Sequence, residues 1–293
     1  MRVGNLHRLN RRELLRGSAA FAFMGAQTRL SSAAGLYAWR PATAATGAGD
    51  TLQARFSPPP GFIRDAVADS SFAAWLRSLP LKEQGARVHL YTGAEKSRQD
   101  VHAGVIDIDV GGRDLQQCAD AVMRLRAEWL LGTGRSSEIA FNMTEGGRVP
   151  FSRWARGERS SPSGKRWRKT AAADSSYASF RKYLDFVFSY AGTASLEKEL
   201  VPVPEGDIAI GDVFIKGGFP GHAVLVADLV HNAATQSKRF LLIQSYMPAQ
   251  QMHVLRNPQN GDGSPWYGVP AGNLVTPEWT FAPGSLRRWP SSR

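Results

Sequence analysis

Two neighbouring runs of sequence decide the fold: Gly211-Asp212-Val213-Phe214-Ile215 and Gly217-Gly218-Phe219-Pro220-Gly221-His222-Ala223-Val224-Leu225-Val226. Each run is rich in β-branched and aromatic residues, and glycine and proline separate them, which is typical of two strands joined by a tight turn. The same alternation of apolar and polar residues continues downstream. It predicts four consecutive strands, over residues 212–215, 223–229, 240–245 and 252–255.

The region upstream shows helical periodicity. The strongest pattern runs from Asp114 to Leu131; Asp114 and Gln117 form a capping-box pattern, and Gly132 ends the helix. A second helix is predicted over residues 177–190. The polar, Gly/Ser-rich segment 144–172 predicts a long surface loop.

Helices that come first and strands that follow favour an α+β fold, with helices packed on a C-terminal antiparallel sheet or half-barrel. The chain has 293 residues and is 43% hydrophobic, which is enough to bury a sizeable core. The sequence contains no apolar run of 18 residues, so no transmembrane helix is predicted.

The N-terminus has the pattern of an export signal. Asn10-Arg11-Arg12-Glu13-Leu14-Leu15-Arg16 is similar to a twin-arginine box, a short apolar stretch follows it, and Ser32-Ala33-Ala34 suits cleavage. The alternative is an ordinary amphipathic helix. We expect a twin-arginine signal peptide over residues 1–34, a linker over 35–60 and a single α+β domain over 61–293. The expected location is therefore the periplasm.

The positive charge is concentrated in two places. The net charge is +11, of which residues 1–40 contribute +6 (seven Arg, one Glu) and residues 148–182 contribute +8 (ten Lys/Arg, two acids), so the remainder carries −3. In the second region Trp154, Arg156 and Trp167 combine aromatic and basic side chains, which can bind anionic or sugar-bearing polymers. In the periplasm an envelope polymer such as peptidoglycan is the expected partner rather than nucleic acid. The alternative is a mobile, solvated loop.

His222 is the first candidate for chemistry. A histidine at the start of a strand has a rigid backbone and an edge near the surface, which suits a general base. Gln244, on the next predicted strand, could fix the histidine tautomer through the second ring nitrogen. The alternative is a structural histidine with satisfied hydrogen bonds.

Cys118 is the only cysteine, and two interpretations stay open. It lies early in the predicted helix, where the positive potential of a helix N-terminus lowers a thiol pKa and favours a nucleophile. It also falls on an apolar stripe at helical spacing, which favours a buried core thiol. Asp107 and Asp109 share one face of a predicted strand and could do acid/base work or bind a metal, but a solvated face is the alternative. We predict no cofactor and no metal site.

The strand and helix patterns resemble papain-like hydrolases of the NlpC/P60 kind, in which a Gly-Asp strand precedes a His strand. That resemblance implies a papain-like fold with Cys118 as nucleophile, His222 as base, Gln244 as the residue that orients His222, and Asp212 near the substrate. It implies a cysteine peptidase or amidase acting on peptidoglycan peptide or similar envelope material. A non-catalytic periplasmic domain that binds glycan or peptide is the alternative.

A longer resemblance covers roughly residues 70–290. The block Asp-Leu-Gln-Gln-Cys-Ala-Asp-Ala-Val-Met-Arg-Leu-Arg-Ala-Glu, residues 114–128, together with residues 72–82, 106–111, 211–226 and 244–250, resembles the bacterial domain-of-unknown-function family numbered 4846. This resemblance implies one intact domain and an envelope setting. It implies no catalytic residue.

Overall fold

The strand-turn-strand segment lies at the centre of an antiparallel sheet in the computed structural model, which describes residues 37–40 and 50–290. The sheet has eight strands: β1 (His102–Val105), β6 (Val201–Pro202), β7 (Val213–Lys216), β8 (His222–His231), β9 (Lys238–Gln244), β10 (His253–Leu255), β11 (Tyr267–Gly268) and β14 (Leu286–Arg288). They lie in the order β1-β10-β9-β8-β7-β14-β6, and β11 pairs with β9.

Three two-stranded ribbons accompany the sheet. They pair β2 (Ala140–Asn142) with β3 (Arg148–Pro150), β4 (Glu158–Ser160) with β5 (Trp167–Lys169), and β12 (Leu274–Val275) with β13 (Thr280–Phe281). The helices are α1 (Leu52–Arg55), α2 (Phe72–Arg77), α3 (Cys118–Gly132), α4 (Phe151–Ala155), α5 (Tyr177–Tyr190) and α6 (Thr193–Glu199). Two 3-10 turns, Ser136–Glu138 and Glu205–Asp207, are the remaining elements of residues 37–40 and 50–290. The predicted α+β class is therefore confirmed.

The central sheet separates two apolar cores, because successive side chains of a strand point to opposite faces. In β8, Ala223 and Leu225 belong to the larger core with the helices, whereas Val224 and Val226 belong to a smaller core. His222 shares the parity of Val224 and contacts the Phe281 ring of the smaller core, with ring centroids 5.8 Å apart. The four predicted strands correspond to β7 to β10, each within two residues at either end.

Helix α3 begins four residues later than the sequence predicts. The Gln117 backbone N–H donates to the Asp120 carboxylate over 3.1 Å, so the capping box is Gln117/Asp120 rather than Asp114/Gln117. The Asp114 carboxylate instead accepts the backbone N–H of Ala249 over 2.7 Å, a long-range contact. As a result Cys118 is the first helical residue.

Segment 144–172 is ordered secondary structure rather than the predicted long loop. It contains β3, α4 and the β4–β5 hairpin, and Val149, Phe151 and Trp154 are buried. The hairpin tip packs on the 146–147 turn: a Cβ on Gly147 would lie 2.2 Å from the backbone oxygen of Ser163. Only glycine fits this approach, so the ribbon is held against the domain.

The folded domain begins before residue 61. Leu52 is fully buried, Thr51 bridges to Pro80, and Tyr37 packs beside Trp75 with ring centroids 5.2 Å apart. Residues 50–60, placed in the linker on composition, are therefore part of the domain, since their few apolar side chains reach the core. The predicted signal peptide lies outside the described residues. Across residues 37–40 and 50–290, no helix is long and apolar enough to cross a bilayer.

Candidate functional site

His222 is the first residue of β8, and its backbone is held from both sides. Lys216 on β7 is its cross-strand partner. Gly221, just before it, packs so closely on Thr193 that a Cβ would lie 2.3 Å from the Thr193 hydroxyl. The ring is 1% exposed and packs against Tyr246 and Trp279, with centroid distances of 4.9 and 5.4 Å. The imidazole is therefore held in one position by its surroundings.

Gln244 fixes the tautomer of His222. The Oε1 atom of Gln244 lies 3.0 Å from His222 Nε2, and its Nε2 donates to the Glu278 carboxylate over 2.7 Å. Because Glu278 can only accept when ionised, the amide nitrogen faces Glu278 and the amide oxygen faces His222. Nε2 of His222 therefore carries the proton. Nδ1 keeps its lone pair and has no hydrogen-bond partner within the described chain.

The second donor of the Gln244 amide faces His253. Its Nε2 lies 3.3 Å from His253 Nε2, and His253 Nδ1 lies 2.9 Å from the backbone oxygen of Gln251. This requires a neutral His253 protonated on Nδ1. Burial lowers the pKa of His253 to about 3, in agreement with that arrangement. The other carboxylate oxygen of Glu278, Oε1, forms an ion pair with Lys96, whose Nζ lies 2.6 Å away.

Cys118 occupies the first position of α3 and faces a cleft. The N–H groups of Cys118 and Ala119 belong to the first turn of the helix, where no backbone acceptor is available, and they lie close enough to the thiol to lower its pKa. The backbone N–H of Ala223, the residue after His222, is close enough to the thiol to lower its pKa. Within the described chain Sγ is not hydrogen-bonded to His222 Nδ1. Catalytic hydrogen bonds are often long before substrate binds.

The thiol and the imidazole are both neutral near pH 7. Burial first, and the Asp120 charge second, raise the pKa of Cys118 to about 11, and the nearby N–H groups only partly oppose this. Burial lowers the pKa of His222 to about 4, against a smaller opposing effect of the Gln244 hydrogen bond. The expected lowering of the thiol pKa by the helix N-terminus does not occur, since desolvation outweighs it.

The cleft in front of Cys118 has a volume of about 530 Å³. Cys118, at the base of the cleft, is 7% exposed, whereas Phe219 and Met247, at the rim of the cleft, are 90% and 54% exposed. The walls come from the N-terminus of α3, the α5–α6 connection, the turn before β8 and four residues of three loops. The lining residues are Asp114, Leu115, Gln117 to Asp120, Thr144, Glu145, Pro162, Phe188 to Thr193, Gly218 to Gly221 and Met247.

The structure joins His222 to Gln244 by a hydrogen bond and places Cys118 beside the backbone of Ala223, the residue after His222, whereas the other predicted site residues lie elsewhere. Trp154 is buried, with the Arg159 guanidinium 4.0 Å from its ring centroid. Trp167 is half-buried beneath Arg153. Arg156 is exposed and pairs with Glu158 over 3.1 Å.

Asp212 is a structural residue in this fold. Its carboxylate is buried, accepts the Ala209 N–H over 2.8 Å and is held by the Arg288 guanidinium at 2.6 and 2.7 Å. It fixes the turn into β7 against β14. It does not line the cleft.

Asp107 and Asp109 both face arginines. Asp109 pairs with Arg124 at 2.7 Å and with Arg181 at 3.1 Å, and Asp107 lies 3.8 Å from Arg40. Arg124 is fully buried and also meets Glu128, so Asp109 serves to hold α3 in place. In the described ranges no group of three or more His, Cys, Asp or Glu could hold a metal ion.

Three residues of the site carry no recognisable signal in the sequence. Glu278 and Lys96 lie 182 residues apart and meet only through the tertiary fold. Tyr246 lies two residues beyond the end of β9 and packs on His222, with ring centroids 4.9 Å apart. Gln244 can be predicted from its place on a strand, but no local sequence pattern links Gln244 to Glu278.

The comparisons with known proteins identify a family. The family described as "Domain of unknown function (4846)" matches residues 52–288, which include α1, the whole central sheet and every residue of the site above. No curated protein and no solved structure matches the chain significantly. Since the match extends over most of the 293 residues, the chain belongs to this family of domains of unknown function.

Proposed function

We propose that the domain is a cysteine hydrolase that cleaves amide bonds, with a papain-like division of roles among its residues. One observation carries the proposal: the hydrogen bond between His222 Nε2 and Gln244 Oε1 leaves Nδ1 as the free base, and the residues on either side of His222 meet the site of the thiol, since Gly221 lines the cleft and the Ala223 N–H lies close to Sγ of Cys118. A nucleophile, a base and a residue that orients the base are the three parts such chemistry needs. The order Cys118, His222, Gln244 along the chain and its elements supports the same likeness to NlpC/P60 hydrolases.

The proposed reaction proceeds in two halves. As Sγ of Cys118 attacks the carbonyl carbon, its proton moves to Nδ1 of His222 and the C=O π electrons pass to oxygen. The tetrahedral intermediate collapses with cleavage of the C–N bond, and His222 returns the proton to the leaving amine. Water then attacks the thioester while Nδ1 takes its proton, and cleavage of the C–S bond restores the thiol.

The oxyanion would be stabilised by backbone donors. The N–H groups of Cys118 and Ala119 lie close enough to the thiol to lower its pKa, and both residues line the cleft. Donors fixed by a helix terminus need no reorganisation as the charge develops. The neutral thiol and neutral imidazole make proton transfer simultaneous with attack, rather than preceding it as in an ion pair.

Acylation by p-nitrophenyl acetate tests the proposal without knowledge of the natural substrate. We expect a burst of p-nitrophenolate and the mass of one acetyl group on Cys118, the only thiol of the chain. His222→Ala should keep the thiol and lose the burst, while His89→Ala, a half-buried histidine outside the cleft, should behave like the parent. Equal acylation of the parent and His222→Ala would refute the mechanism.

We further propose that the substrate is envelope material, such as peptidoglycan peptide, met after export to the periplasm. The support is the twin-arginine pattern at Arg11-Arg12. Replacing both with Lys should retain the precursor in the cytoplasm, as fractionation would measure. Normal periplasmic levels of this variant would contradict export by that route.

The alternative function, binding of glycan or peptide without catalysis, rests on the β4–β5 hairpin. Lys165, Arg166, Arg168 and Lys169 are exposed there, and none has a carboxylate within ion-pair distance among the described residues. Reversing these four charges should reduce the fraction of protein that pellets with sacculi. It should also make that fraction depend less on salt concentration. If pelleting falls while Cys118→Ala changes nothing in any assay, binding is the function.

A further inference from the structure

The charge of the cleft is opposite to that of the protein. The chain carries a net charge of +11, yet the cleft lining includes Asp114, Asp120 and Glu145 and, among the described residues, no Lys or Arg. None of the three carboxylates has a cationic side chain within 4.0 Å in the described part of the chain. A cleft of this kind attracts cations and repels anions.

Asp120 gives the cleft an acceptor at a definite position, and burial raises the pKa of its carboxyl well above the usual range, so an ammonium ligand would favour its charged form. It is 6% exposed, and its Oδ2 accepts the Gln117 N–H over 3.1 Å, whereas its buried Oδ1 has no hydrogen-bond partner. A buried polar atom without a partner costs free energy, and a ligand that donates to it recovers that cost. A charged donor forms the stronger bond to a carboxylate.

Asp120 also lies close to the reacting thiol. It is two residues beyond Cys118 in the first turn of α3, and its charge acts on the thiol. During the proposed reaction the acyl part of the substrate is bonded to Sγ, so it is the acyl residue that remains nearest Asp120. At the cleft rim, Phe219 and Met247 offer apolar contacts to its side chain.

Resting on the proposed function, we propose that the substrates are amides whose acyl residue bears a free ammonium group and an apolar side chain, with Asp120 receiving the ammonium group. Glu145 and Asp114 at the cleft surface contribute a weaker, longer-range attraction. An N-acylated substrate would leave Oδ1 without a charged donor, and an anionic one would be repelled. Asp120 thus determines specificity and takes no part in proton transfer.

Equilibrium binding to the full-length Cys118→Ala chain tests this without turnover. The probes are phenylalaninamide and N-acetylphenylalaninamide, which differ in the ammonium group, measured by calorimetry at pH 7. We expect the free amine to bind about tenfold more tightly. Asp120→Asn, in which the amide oxygen can still accept the Gln117 N–H, should reduce the preference to about twofold or less.

Two further variants separate the outcomes. Glu83→Gln, an exposed carboxylate outside the cleft, changes the net charge equally and should leave the preference intact. Glu145 is exposed at the cleft, so Glu145→Gln should not disturb folding. This variant should reduce the preference for the free amine by a smaller factor than Asp120→Asn. Equal binding of both probes, or a preference that survives Asp120→Asn, would overturn the proposal. Retained preference together with no acylation by p-nitrophenyl acetate would overturn the hydrolase but leave the ammonium site standing.

Discussion

The amide nitrogen of Gln244 donates to the Glu278 carboxylate over 2.7 Å, and this contact decides which side of the amide faces His222. A freely rotating glutamine could present either its oxygen or its nitrogen to an imidazole. Here the carboxylate removes that freedom, since it can only accept. Glu278 is itself held by Lys96 in a pair whose side chains are 9% and 8% exposed. The orientation of the base therefore depends on an ion pair that touches neither the thiol nor the cleft.

Breaking that ion pair should cost much more stability than breaking a surface pair of the same length. Glu278→Gln leaves the Lys96 ammonium buried without a counter-ion, which should lower the free energy of unfolding by about 3–5 kcal/mol. Glu95→Gln removes a pair with Arg87 that is also 2.6 Å long but about half exposed, and should cost about 0–1 kcal/mol. Urea unfolding measures both. Similar losses in the two variants would show that the Lys96–Glu278 pair is effectively solvated.

Adding Lys96→Met to Glu278→Gln should recover part of the lost stability, because the buried ammonium is then absent. The double variant also separates stability from orientation. In the double variant His222 should still form a hydrogen bond with Gln244. The Gln244 amide can now rotate, so that either its oxygen or its nitrogen faces the imidazole. We expect a mixture of His222 tautomers in the ¹⁵N spectrum of the ring, where the parent has one.

Gln244 itself should act on rate through His222. Gln244→Ala removes the acceptor for Nε2–H, so the ring can take the wrong tautomer, and acylation by p-nitrophenyl acetate should slow by about 10²-fold. Gln99→Ala removes a glutamine that is hydrogen-bonded to the backbone outside the cleft and should leave the rate unchanged. A normal acylation rate in Gln244→Ala would withdraw its orienting role.

The two buried histidines should make the fold sensitive to acid. The pKa values of His222 and His253 fall from 6.5 to about 4 and about 3, so both stay neutral in the folded state while the unfolded chain takes up protons. The stability they contribute is complete above pH 6.5 and is lost as the pH falls toward these folded values, by up to about 1.4 kcal/mol per pH unit for each histidine. In His253→Asn the melting temperature should depend less on pH between pH 6.5 and 4. An unchanged slope in this variant would assign the acid sensitivity to other groups.

The sequence predicts well those parts of the fold that local periodicity controls. The helix over residues 177–190 has the same bounds as α5, and the strands after residue 212 form the centre of the sheet, because their alternation follows the burial on the two faces. His222 and Gln244 are predictable for the same reason. A strand that begins with a histidine after a Gly/Pro turn places the ring at the end of that strand, but the expected position near the surface is wrong, because Tyr246 and Trp279 bury the ring.

Long-range contacts set the features that the sequence does not predict. Residues 114–120 contain two overlapping capping patterns, Asp114 with Gln117 and Gln117 with Asp120, and the contact of Asp114 with Ala249 selects the second. Segment 144–172 is folded because Val149, Phe151 and Trp154 find apolar neighbours on other elements. The segment has eight basic and two acidic residues and only a few apolar ones, so its composition alone favours a loop.

The reactivity of Cys118 offers the sharpest test, because the sequence and the structure lead to opposite expectations. A thiol at a helix N-terminus is expected to be acidic, whereas burial and the Asp120 charge raise the pKa of Cys118 to about 11. At pH 7 the thiolate fraction would be about 10⁻⁴, roughly a hundredth of that of an ordinary thiol. Iodoacetamide should therefore label the native protein slowly, with a rate that rises about tenfold per pH unit from pH 7 to 9. Asp120→Asn should accelerate labelling, since it removes a charge that opposes the thiolate. Labelling should not need unfolding, because Cys118 lines the cleft, so low concentrations of urea should leave the rate unchanged. Rapid labelling that is independent of pH between 5 and 8 would instead reveal a thiolate–imidazolium pair, and proton transfer would then precede attack.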